Sequence, residues 1–239
     1  MATLGIVGGL GPESTIDYYR RILEAWKRDD PSSSPSIVID SLDVDRALRL
    51  VENDRPALVE YLAASLNRLA AAGADFAAMS ANTPHVIFDE LAADSPIPIV
   101  SIVEACAEEA QRRGLRRLGL LGTRFTMEGR FYPNVFTRRK IVIVSPNAEE
   151  RTWIHDRYVG QLLKGEFLDE TRKGVTRVIK RLRDEEKIDG VILGGTELTL
   201  LLSAPTVADI PALDTTALHV AAIVKRLNVE NTTPRSTRK

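Results

Sequence analysis

The chain has 239 residues, 44% of them hydrophobic and 27% charged, and a formal net charge of −1. These proportions describe an ordinary globular protein and give no reason to expect nucleic acid or an anionic membrane as partner. No stretch approaches the roughly 18 uninterrupted apolar residues a membrane span requires, and a lone cysteine, Cys106, excludes an intrachain disulfide and a cysteine-based zinc cluster.

Thr3–Gly8 is a short apolar run ending in glycines, which reads as a buried strand entering a tight turn. The opening MATLGIVGG shows no basic leader or cleavable apolar stretch, and the expectation is a cytoplasmic protein. Pro12 and Ser14 start a helix with Ile16, Tyr19, Ile22, Leu23 and Trp26 at three- and four-residue spacing. Asp29–Ser36 is a surface loop by composition, Ser36–Asp40 a second strand, and Asp43–Arg49 a loop. Arg55–Gly73 reads as an amphipathic helix with Leu58, Leu62, Leu66 and Leu69 on one stripe and Gly73 as its stop. Phe76–Ser80 and Ile97–Val100 are further strands, and a helix follows through Ala110. The cycle then restarts, with a strand at Arg117–Gly122, a helix at Met127–Phe136 and a strand at Lys140–Val144. A helical region at Ala148–Glu185 breaks at Gly165. Strands at Gly190–Gly194 and Ile210–Leu213 and a helix at Thr216–Leu227 complete it, and the polar tail Asn228–Lys239 is expected to be disordered.

Key loops recur at one offset. Gly8 in GIVGGLGPESTIDYY has a counterpart 114 residues on in Gly122 of LGLLGTRFTMEGRFY. The same offset carries Tyr18 to Tyr132, and Ala81 of MSANTPH to Gly195 of LGGTELTL. One offset that aligns three landmarks predicts two similar halves facing each other across a ligand cleft. Strands alternating with long helices make this an α/β protein with parallel, doubly wound sheets. The expected domains are 1–105 plus 215–239, and 106–214. Ligands of such sheets lie at the carboxyl ends of the strands, where both loop pairs fall.

Gly8, Gly9 and Gly11 allow a tight backbone, and the helix from Pro12 aims its positive end at the same place. That combination suits an anion, a carboxylate as well as a phosphate; the alternative is a turn that simply needs positive φ. Their spacing is not the G-x-G-x-x-G of dinucleotide sites. Ser80, Asn82 and Thr83 in one loop, and Thr196 and Glu197 in the other, place short polar side chains at helix starts.

These stretches together resemble the aspartate/glutamate racemase family. The resemblance covers roughly Thr3 to Leu227 and is carried by GIVGGLGPESTIDYY, NTPH, LLGTRFTMEGRFY, KGEF from Lys164, GTEL at Gly195–Leu198, and LDTTALH ending at His219. It implies two α/β domains related by a pseudo-twofold axis and a cofactor-independent isomerase. The implied partner is an acidic amino acid or related carboxylate, bound in the interdomain cleft. The implied substrate contacts are Gly8, Gly9, Gly11, Ser80, Asn82, Thr83, Thr126 and Thr196, with Lys164 and Arg46 toward a distal carboxylate. A homodimer is compatible with the family, and no residue pattern locates its interface.

The chain departs from the family at the chemistry. Active members carry a cysteine before each N-T and T-E pair, one thiolate taking the α-proton while the opposite thiol supplies one. Here those positions are Ala81 and Gly195, so the two-thiol mechanism has nothing to run on. A positioned acid or base typically contributes about 10²–10⁴-fold. Cys106, in mid-helix, reads as a buried structural residue. His85, four residues past Ala81, and Glu197 are the remaining candidates for proton transfer. Against them stand a loop-bound histidine and a helix-capping carboxylate. Three functions fit: a thiol-free isomerase; a lyase, decarboxylase or hydrolase on the same scaffold; or a binding homologue without catalysis.

Overall fold

The computed structural model describes residues 1–232, which divide into two units. The first comprises Met1–Ser80, Ile87–Ser101 and the chain from His219 on; the second comprises Ala81–Val86 and Ile102–Leu218.

In the first unit the elements are β1 (Thr3–Gly8), α1 (Pro12–Asp29), β2 (Ser36–Ser41), α2 (Val44–Asn53), α3 (Arg55–Ala71), β3 (Phe76–Met79), α4 (Phe88–Asp94) and β4 (Ile99–Val100). The sheet order is β2-β1-β3-β4, all parallel, with Leu4 opposite Ile37 and Phe76. Residues of β1 and β3 are buried almost without interruption, as central parallel strands covered on both faces must be. Leu4, Ile6 and Phe76 pack with Tyr18, Ile22 and Trp26 of α1 and with Val224 and Leu227 from the chain's last helix.

The second unit repeats the plan. It holds α5 (Ile102–Arg112), β5 (Arg117–Gly122), α6 (Arg124–Glu128), α7 (Phe131–Thr137), β6 (Val142–Val144), α8 (Ala148–Gly160) and α9 (Asp169–Glu186). Then come β7 (Gly190–Gly194), α10 (Thr196–Leu201), β8 (Thr206–Val207), β9 (Ile210–Asp214) and α11 (Thr215–Thr232), which passes into the first unit at His219. Its order is β6-β5-β7-β9-β8, parallel except for the antiparallel β8. Counting the parallel strands alone, both sheets therefore run second, first, third, fourth, and β5 lies 114 residues after β1 at both ends.

The repeat reaches details that the spacing of landmarks did not reveal. Asp75 accepts the Thr3 N–H at 2.8 Å, and Asp189, 114 residues later, accepts the Arg117 N–H at 3.0 Å. Each carboxylate pins the first residue of its sheet's first strand in chain order. Gly73 (φ 90°) and Lys187 (φ 55°) likewise both take the left-handed conformation after a long helix. At Gly73 the turn needs glycine; at Lys187 a Cβ is forced into it.

Several expectations change. Asp43–Arg49 is not a loop: Asp43 caps α2 by accepting the Arg46 N–H at 3.0 Å. In α1 the buried stripe is Tyr18, Ile22, Ala25 and Trp26, while Ile16 and Tyr19 face outward. Residues 127–136 form two short helices because Gly129 ends α6 in an extended conformation. The break at Gly165 is real, its φ of 77° closing a single 3₁₀ turn at Leu162–Lys164. The last helix continues through Thr232 rather than ending at Leu227; the rest of the polar tail lies outside the described residues. No helix among the described residues is long and apolar enough to cross a membrane.

His219 is fully buried in the first unit. Its Nε2–H donates to the Val100 carbonyl at 2.9 Å, since a carbonyl can only accept, and its Nδ1 accepts from the Tyr18 hydroxyl at 2.8 Å. The neutral ring is thus the one that fits, and burial lowers its pKa from 6.5 to about 4.

Two outcomes follow from this packing. Lys187→Gly removes a strained φ and raises stability by about 0.5–1 kcal/mol in chemical denaturation. For His219, the unfolded chain takes up the proton first as pH falls. Its stabilisation is complete above pH 6.5 and is lost down to pH 4, roughly 3 kcal/mol in all. Denaturation midpoints of His219→Gln should lack that part of the acid limb.

Candidate functional site

The polar residues at the strand ends of the second unit are tied together in several short hydrogen-bond chains. Gly122 closes β5, and Thr123 caps α6 by accepting the Thr126 N–H at 3.3 Å. Thr126 is fully buried; its Cβ lies 2.9 Å from where a Cβ on Gly122 would stand, so glycine is required there. Thr126 also borders Gly194, the last residue of β7. The segment Ala81–Val86 contributes to two of these chains. Thr83 Oγ1 meets Thr123 Oγ1 at 2.9 Å, and the Asn82 amide is engaged at both ends. Its Oδ1 accepts from Tyr132 OH at 2.6 Å and its Nδ2 donates to Thr215 Oγ1 at 3.2 Å. Thr215 in turn donates to the Leu193 carbonyl at 2.8 Å, tying Asn82 to β7.

At the end of β7 the chain runs through Gly195 into α10. Gly195 is extended (φ −154°), a conformation open to any residue. Space, not backbone, demands glycine. A Cβ there would lie 2.7 Å from the Tyr158 hydroxyl and 2.9 Å from Tyr158 Cζ, and closer still to Cε2. Tyr158 comes from α8, where Ile154 and Tyr158 share its buried face. Its hydroxyl donates to Glu197 Oε2, which also accepts from Thr196 Oγ1 at 3.0 Å. Burial first, and the Glu197 charge second, push the Tyr158 phenol well above its ordinary pKa. The proton therefore stays on tyrosine and the pair is a phenol donating to a carboxylate. Glu197 does not cap α10, which has no side-chain cap.

The other expected residues fall as follows. His85 is buried, and its Nε2 accepts the Ile102 N–H at 3.3 Å, at the start of α5. Ala81 is buried and carries no titratable group. Lys164 ends the 3₁₀ turn and is exposed. In the first unit, the Gly9 N–H donates to Thr15 Oγ1 at 2.9 Å, and Thr15 Oγ1 meets Ser80 Oγ at 3.1 Å. A Cβ on Gly8 would lie 2.7 Å from Thr15 Cγ2, and Gly9 (φ 75°) and Gly11 (φ 137°) require glycine conformationally. Arg46 is exposed and stacks on the Tyr61 ring, 4.4 Å from its centroid. Cys106 is fully buried among Ile102, Phe136 and Leu213, and burial pushes its thiol pKa up, away from reactivity. Sequence reasoning missed Tyr158. The signal was the i, i+4 pair within RTWIHDRY, which places it on the inner face of α8.

Comparison with known proteins fixes the family. The model for Asp/Glu/Hydantoin racemase matches residues 7–223. The chain belongs to that family. It is 32% identical to a presumed Asp/Glu racemase from Yersinia pestis, covering 95% of this chain and 100% of that one, with a TM-score of 0.84. An aspartate racemase homologue from Pyrococcus horikoshii OT3 is 31% identical over the same shares, with a TM-score of 0.79. Among curated relatives, the broad specificity amino-acid racemase RacX of Bacillus subtilis (strain 168) is 26% identical over 137 residues. That match takes in 55% of this chain and spans 59% of the relative's length. Two α/β units with parallel sheets are the architecture these racemase structures share with it.

The Asn82 network carries a stability cost when broken. Asn82→Ala removes an acceptor of the buried Tyr132 hydroxyl and should lower stability by about 2 kcal/mol in thermal or urea unfolding. Tyr132→Phe, which removes only the donor, should cost about half that, and the double variant less than the sum.

Proposed function

We propose that this racemase-family protein binds an acidic amino acid or a related small carboxylate and acts on it without thiols, as an isomerase. The proton passes through Glu197 and His85. The observation that carries the reading is the arrangement at Gly195: the space beside it is taken by the Tyr158 phenol, and a buried carboxylate, Glu197, stands next to it. Ala81 leaves the corresponding position of the first loop without a titratable group. The family's acidic substrates motivate the ligand class, and the hydroxyls of Thr83, Thr126 and Thr196 are the neutral donors suited to it.

A second reading has its own support. Both candidate proton carriers already hold internal bonds: His85 Nε2 accepts the Ile102 N–H, and Glu197 Oε2 accepts two hydroxyls. Such commitments suit a binding homologue that does not turn its ligand over.

Incubation in D₂O with each enantiomer of aspartate and glutamate, followed by NMR of the α-hydrogen, separates the two. The isomerase reading expects exchange that falls at least about 10²-fold in Glu197→Gln. It also expects exchange to survive a thiol-blocking reagent, because Cys106 is buried. Binding without exchange would establish the second reading, and neither binding nor exchange for any small carboxylate would overturn both.

A further inference from the structure

We propose that Tyr158 is a positioning residue: its ring occupies the space of a side chain at position 195, and its hydroxyl sets the place and ionisation of Glu197. The first half rests on geometry alone. Gly195 has an extended backbone that tolerates any residue, yet a Cβ there would press on Tyr158 at its hydroxyl, Cζ and Cε2. Glycine at 195 and tyrosine at 158 are therefore one coupled choice, made across 37 residues of sequence. A side chain at 195 has to displace the phenol to be accommodated.

The second half follows from the hydrogen bonds. Glu197 is 1% exposed, and a carboxylate that deep is unfavourable unless donors face it. Tyr158 OH and Thr196 Oγ1 both donate to Oε2, so both favour the ionised form. The Glu197 backbone N–H also approaches the Tyr158 oxygen at 3.5 Å, closing a short loop between α8 and the start of α10. Removing the phenol's hydroxyl while keeping its ring takes away one donor to Oε2 and leaves the packing in place. The meaning of this arrangement for catalysis rests on the isomerase reading above; the arrangement itself does not.

The experiment needs no turnover, so its failure is distinguishable from that of the function. The first arm is a thermal cycle on the full chain. Gly195→Cys alone should lower Tm by about 4–8 °C through overpacking. In a Tyr158→Leu background the same substitution should leave the background Tm nearly unchanged. It should also yield a thiol that reacts with a disulfide reagent at least about tenfold faster than in the single variant. Equal Tm losses in both backgrounds would overturn the spatial claim. The second arm follows the ¹³C-labelled side-chain carboxyl of Glu197 with pH, assigned by its disappearance in Glu197→Gln. Tyr158→Phe should raise its midpoint by about one pH unit or more. An unmoved midpoint would overturn the positioning claim, whether or not the protein exchanges protons on any substrate.

Discussion

A tyrosine ring lies where a side chain just past the end of β7 would have to stand, and the packing around Glu197 depends on that contact. Overlap of this kind is resolved by whichever group yields, and here the backbone residue yields completely by being glycine. The phenol then meets a carboxylate in a place closed to water, which keeps the phenol protonated and supplies the carboxylate with a donor. Neither interaction would mean much at an exposed site. In the interior each lost partner leaves a polar group without compensation, a penalty of about 1–3 kcal/mol.

The internal repeat shows which parts of such a unit are structural and which are free to diverge. The strand order, the aspartate that pins the first strand, the left-handed residue after the long helix and the buried tyrosine all recur at the same offset. Those are matters of strand placement and chain reversal, and they tolerate little change. The tyrosines already differ in partner. Tyr18 donates to a histidine and Tyr132 to an asparagine, although both are fully buried. At the strand ends the divergence is wider: Ser80 and Gly194 occupy matching places, as do Ala81 and Gly195. Architecture is held by repeated devices, and the residues at the strand ends differ between the units.

Although positions 81 and 195 carry Ala and Gly, the second unit's strand ends are not chemically empty. Hydroxyls from Thr83, Thr123, Thr126 and Thr196, a buried glutamate and a buried histidine remain, every one held by a named neighbour. Held groups are what a binding site requires, because little entropy is lost when a ligand replaces one of their contacts. They are also what a merely structural network requires. The distinction between the two lies in whether a proton leaves a ligand, which is a matter of reactivity rather than of packing.

Much of the fold was legible in the residues. β1, β5 and β7 were bounded by apolar runs that end in glycine, and the break at Gly165 by a residue that readily takes positive φ. The family was legible too, because Gly8, Asn82, Thr83 and Glu197 stand in motifs whose order is specific. What stayed hidden was mostly a matter of packing. One exception is local: Asp43–Arg49, read as a loop, opens the helix Val44–Asn53 with Asp43 as its cap. The outward turn of Ile16 and Tyr19 reflects which face of α1 the sheet covers. Which tyrosine fills the space at Gly195, and which hydroxyls surround Glu197, depend on residues distant in sequence. Periodicity and turn chemistry are local and can be read along the chain; the identity of a side chain's neighbour is not, and only the packed structure decides it.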